Sequence, residues 1–229
     1  MHTVTESPWD EVLRAARRLQ ELVPDAVLVG GTAAAARAGH RVSFADDHVL
    51  GDLRDRFDQI LQDLEDTQGW VTARVRRPVL ILGSLDGVET GIRQLIRRRP
   101  LEVERLEVAA GTIQVPTLAE MARIKAWLVL IRNATRDYLD LVALVDRLGP
   151  DAPGTLLSLD DYYADQIAPG GTRVSTQLVK QLAEPLPYDL DDVDLSNYRR
   201  LEPRWRRWEA VKAACQSAAS AVLQELAGR

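Results

Sequence analysis

The chain has 229 residues, a formal net charge of −5 and one cysteine, Cys215. That length buries a core of one domain or one and a half, and a lone cysteine excludes an intramolecular disulfide. The acidic balance argues against coating nucleic acid along a broad basic face, and no apolar run approaches the roughly 20 residues that span a bilayer. Trp9, Val12 and Leu13 run at once into Arg14, Arg17 and Arg18, so no secretory leader is expected; the setting predicted is cytoplasmic, with no membrane partner.

In chain order, Ser7 precedes a proline suited to a first helical position, and Val12, Ala15, Ala16, Leu19 and Leu22 recur at helical spacing, predicting a helix over 8–22. A short β-favouring run at 26–29 leads into Gly30-Gly31-Thr32 and an alanine-rich helix over 33–38 that Gly39 stops. The apolar stripe from Val49 through Leu50, Leu53, Phe57, Ile60, Leu61 and Leu64 predicts a helix over 48–64. Strands are expected at 71–75, 79–82 and 88–96, the last two joined by Leu85-Asp86-Gly87, and a further pair at 101–108 and 112–115. Thr117 and Glu120 have the spacing of a capping box that opens a helix to about residue 131, and helices follow at 135–148, 159–167, 175–182 and 204–226. The expected fold class is α+β, a mixed sheet with flanking helices over 1–116 followed by an all-α region over 117–229.

Three elements carry chemistry. Gly30-Gly31-Thr32 leaves a strand and enters a helix; glycines admit close approach of a phosphate and the first helical N–H groups favour anions, although glycine also serves simply to make such a turn. His40-Arg41-Val42-Ser43-Phe44-Ala45-Asp46-Asp47 ends in neighbouring carboxylates, but period-2 alternation puts Asp46 and Asp47 on opposite faces of a regular strand. Lys125 lies in an apolar helix among Met121, Ile124, Leu128 and Val129, where an ammonium needs an anion; Arg132, Arg136, Asp137 and Asp140 follow. Only three lysines occur, so arginine is the default cation, and Arg74, Arg76, Arg77, Arg93 and Arg97 to Arg99 form a local basic run that reads either as solvated surface or as a phosphate track.

Together, the strand ending in Gly30-Gly31-Thr32, His40-Arg41-x-Ser43-x-x-x-Asp47, Lys125 and Arg136-Asp137-x-x-Asp140-Leu141 resemble the AbiEii family of nucleotidyltransferase toxins, to which the MenT toxins belong, over roughly residues 26–148. The resemblance implies a minimal nucleotidyltransferase domain that transfers a nucleoside monophosphate from an NTP to an RNA acceptor such as tRNA, using Mg²⁺, with a cognate antitoxin as partner. It places Gly30, Gly31, Thr32, Arg41, Ser43 and Arg136 at the nucleotide, Asp47 at the metal, and Lys125, Asp137 and Asp140 in the catalytic set. Ala45 stands where the family has its first metal-binding aspartate, and the third carboxylate of larger relatives is not visible near Gly91. Three readings stay open: a silent NTP-binding or interaction protein, a shifted register in which Asp46 serves as ligand, or an alanine put in place of a native aspartate.

Overall fold

The computed structural model describes residues 8–44 and 46–228; Ser7, the expected N-cap, and Ala45, the expected metal position, lie outside the described residues. Two compact units form: one runs through Ala33 and resumes over Ser43–Thr117, and the other takes Ala34–Val42 and the chain from Leu118 onward.

In the first unit, α1 (Pro8–Leu22) buries Val12, Leu13, Ala15, Ala16 and Leu19. After β1 (Val27–Val29) the chain turns directly into α2 (Gly30–Ala38), so the helix starts at the first glycine rather than at residue 33. There follow β2 (Asp46–Leu50), α3 (Leu53–Glu65), β3 (Trp70–Arg76), β4 (Leu80–Leu85), β5 (Val88–Gln94) and the separate hairpin β6 (Val103–Val108) and β7 (Gly111–Pro116). The five-stranded sheet has the order β1-β2-β5-β4-β3, antiparallel except for the parallel pair β2–β5. One face holds Leu50, Ile81, Leu85, Ile92 and Trp70 in a core with Leu19 of α1 and Phe57, Ile60, Leu61 and Leu64 of α3.

The helix expected over 48–64 is therefore two elements. His48 and Val49 pair with both β1 and β5, Leu50 pairs with Gln94 of β5, and the helix begins only at Leu53, after Gly51-Asp52. Val49 and Leu50 continue the spacing of the later stripe by coincidence: burial between two strands produces the same short apolar run as the start of a helix, and only pairing partners tell them apart.

In the second unit, α4 (Leu118–Arg132), α5 (Thr135–Leu148), α6 (Ala152–Leu157), α7 (Leu159–Tyr162), α8 (Val174–Ala183) and α9 (Trp208–Ala227) enclose one core. Trp127 stacks on Tyr163 at 4.5 Å between centroids, and Tyr138 meets Trp208 edge-on at 5.8 Å. The last helix starts at Trp208 instead of residue 204, because Pro203–Trp205 forms its own 3-10 turn and Arg207 is extended. The strip Ala34–Val42 is tied into this unit by its backbone: Val42 N–H donates to Arg199 O, Glu202 N–H to His40 O, and Arg147 Nε to Ala38 O.

Gly83 sits where a Cβ would come within 2.6 Å of both Trp70 Cζ2 and Val71 O. Gly83→Ala is expected to destabilise the first unit by about 1–3 kcal/mol through overpacking. The check is urea unfolding; an unchanged midpoint would show that Trp70 is not seated across β4.

Candidate functional site

At the end of β1, Gly30 adopts φ +74°, and a Cβ there would lie 3.2 Å from Asp47 Oδ2 and 3.3 Å from Asp47 Cβ. A side chain at residue 30 is disfavoured twice, by the left-handed backbone and by the close approach of Asp47. The register Val29↔Asp47 brings Asp47 beside the start of α2, whose first N–H groups have no intrahelical partner. Gly31 is half-buried, Thr32 buried and Ser43 half-buried just before β2.

The two adjacent carboxylates do not act together. Along β2, Asp46, His48 and Leu50 are buried while Asp47 and Val49 alternate to the open side. Asp46 Oδ1 lies 3.1 Å from His48 Nδ1 with both side chains fully covered. Burial pushes the Asp46 carboxyl well above its usual range and pushes His48 down to about 3, so the pair is held neutral. The expectation that Asp46 could bind metal alongside Asp47 is corrected: strand alternation turns it into the core.

Register adds residues that sequence reasoning did not place. Asp47 is directly opposite Gly91, and through β5 and β4 the same open face carries Glu89, Arg93, Leu82 and, across the bulge at Ala73, Arg74 and Arg76. Arg93 Nε stands 3.5 Å from Asp47 Oδ1, with the two side chains 49% and 36% exposed. The alternation of β5 was visible in sequence, but its parallel alignment with β2 was not, so Glu89 and Arg93 could not be assigned to Asp47. Arg97 leaves the basic run: it is 3% exposed and donates to the carbonyls of Arg99 and Pro100 in its own turn.

A paired Mg²⁺ centre does not fit this donor set. Among the described residues no group of three or more His, Cys, Asp or Glu is placed to hold a metal ion. Asp46 faces the core, Asp47 is met by an arginine, and the residue opposite Asp47 is a glycine.

The second unit gathers its own predicted residues into a buried ion cluster. Asp140 accepts from His40 Nε2 at 2.7 Å, Arg41 Nε at 2.7 Å and Lys125 Nζ at 2.7 Å. Lys125 also reaches Asp137 Oδ1 at 3.4 Å, and Arg132 closes on Asp137 from the more exposed side at 2.7 Å. Burial pushes the Asp140 carboxyl up, but Lys125 and Arg41 together with the hydrogen bonds from His40 and Arg41 outweigh it and hold the group well below its ordinary range. The anion that Lys125 requires is therefore internal. At 2% exposure the ammonium is engaged by carboxylates of its own unit, as is Arg41, whereas Arg136 stays exposed outside the cluster.

No known family profile matches the chain. The heme uptake protein MmpL11 of Mycobacterium tuberculosis is 33% identical over 93% of this chain but only 23% of its own length. The mycolic acid-containing lipids exporter MmpL11 of Mycolicibacterium smegmatis is 37% identical over 56% of this chain and 13% of its own. The chain thus spans about a quarter or less of the curated relatives it matches. Among solved structures, MenT4, a nucleotidyltransferase toxin from Mycobacterium tuberculosis, superposes with a TM-score of 0.62 over 97% of this chain and 87% of that one at 17% identity. This is a nucleotidyltransferase fold. JHP933 from Helicobacter pylori also shares it, with a TM-score of 0.55 over 96% of this chain and 92% of that one at 14% identity. In this nucleotidyltransferase fold the sheet and glycine turn belong to the first unit and the ion cluster to the second.

Asp140→Asn is expected to cost about 3–5 kcal/mol, because it strands Lys125 and Arg41 without their counter-charge. With its folded value depressed, Asp140 contributes stability that is complete above its ordinary value of 3.8 and lost as pH falls through the lower folded value. Thermal melts from neutral to strongly acid pH check this. A variant that matches the parent at neutral pH would remove the ion cluster as a source of stability.

Proposed function

We propose that the chain is a nucleotidyltransferase-type toxin: it holds an NTP on the open face of the first unit, at Gly30-Gly31-Thr32 and Asp47, and passes its nucleoside monophosphate to an RNA acceptor, tRNA first among the candidates. The acceptor hydroxyl attacks the α-phosphorus, its proton passes to solvent, and the bond to pyrophosphate breaks. The observation that carries this reading is the close approach of Asp47 to Gly30 at the start of α2, on the face that also presents Arg74 and Arg76. Phosphate contacts from those arginines would position RNA despite the acidic total, since positioning needs only a local patch. On this reading the partners are an NTP, RNA and a cognate antitoxin, and the setting is the cytoplasm. Lys125, Asp137, Asp140 and Arg41 hold the segment carrying His40 and Arg41 against α4 and α5 within the second unit.

A second reading, an NTP-binding module without transfer activity, is favoured by Asp46 facing the core and by the similarity of this sequence to part of longer transport proteins. Labelled transfer from each of the four NTPs to total tRNA decides between them. The transfer reading expects weak incorporation by the chain as written and a gain of about 10²–10³ for Ala45→Asp, the scale of one well-placed electrostatic contact. NTP binding with no incorporation by either protein would establish the silent module. Replacing Arg74 and Arg76 with alanine should weaken tRNA binding and lower its salt slope by roughly one unit for each arginine–phosphate pair removed. Unchanged binding would remove the proposed track.

A further inference from the structure

We infer that the nucleotide site of the first unit is neutralised chiefly by a fixed guanidinium, Arg93, so that triphosphate binding there needs little or no divalent cation. The inference rests on reading the open face as the nucleotide site.

The argument begins with Asp47. Its carboxylate lies against the glycine turn, and in isolation its negative charge would repel a triphosphate arriving at the N–H groups of α2. A metal-dependent site resolves that conflict by collecting further carboxylates around a divalent ion. Here Asp46 is sealed against His48 on the other side of the sheet, the position opposite Asp47 on β5 is Gly91, and Glu89, on the same face opposite Ser84, forms no group of three or more potential ligands with Asp47 among the described residues.

What the open face offers instead is a cation built into the chain. Arg93, two residues beyond Gly91 and on the same face, stands 3.5 Å from Asp47 and is half exposed. It offsets the Asp47 charge and remains accessible to a ligand. A guanidinium carries five donors in a planar fork suited to phosphate oxygens, and one contact at 3.5 Å does not exhaust them. Glycine at residue 91 places no side chain of β5 between Arg93 and Asp47 on that face. Binding would then be set by an arginine, a helix start and a backbone turn, none of which responds to chelation.

The test is isothermal calorimetry on the whole chain with each of the four NTPs, once in EDTA and once in Mg²⁺. The expected result is an affinity that changes by no more than about threefold between the two buffers. Arg93→Gln should weaken binding in EDTA by at least about tenfold, the scale of a charge-assisted contact, with Arg93→Lys intermediate. Arg93 is half exposed, so thermal melts of the variants should match the parent. Binding that EDTA abolishes, or that Arg93→Gln leaves untouched, overturns the inference and leaves the nucleotide reading standing. No binding in either buffer overturns both.

Discussion

The parallel pairing of β2 with β5 is the constraint on which the open face of the first unit depends. It sets Asp47 opposite Gly91 and His48 opposite Ile92, and so decides which side chains leave the core. Because β2 is flanked by β1 and β5, a one-residue slip would turn Asp47 inward and expose His48 and Leu50; burial of one face fixes the register. Asp46 is then a core residue, kept neutral with His48, while Asp47 meets the glycine turn. The bulge at Ala73 matters for the same reason: without it Arg74 and Arg76 would face the core.

The second unit depends on charge where the first depends on register. Three cations, Arg41, Lys125 and Arg132, surround two carboxylates with no solvent exposure. Desolvation makes such a cluster a poor source of net stability compared with apolar packing, but removing one member is severe because the others remain buried. It holds the strip carrying His40 and Arg41 against α4 and α5, elements roughly 100 residues further along the chain.

The similarities pull in different directions, and fold is the level at which they agree with the geometry. The curated relatives are named for transport, yet this chain matches a minor part of their length from nearly end to end of its own. A fold hosts many activities, so the chemistry must come from the site. That site has one carboxylate at the glycine turn, an arginine beside it and a basic margin on β3.

The sequence by itself determined most of the elements, the acidic balance, the glycine turn, the requirement that Lys125 find an anion, and the opposite facing of Asp46 and Asp47. Each is local: periodicity, composition and alternation act over a few residues. It misread the start of the helix over 48–64, because a strand buried on both edges and the first turn of a helix share the same apolar run. Tertiary structure alone decided that the anion for Lys125 is Asp140, that Arg97 is bound into its own turn, and that Arg93 and Glu89 share the face of Asp47. Those outcomes depend on which strand lies beside which and on which charges are buried together, across separations of many residues that no local pattern encodes.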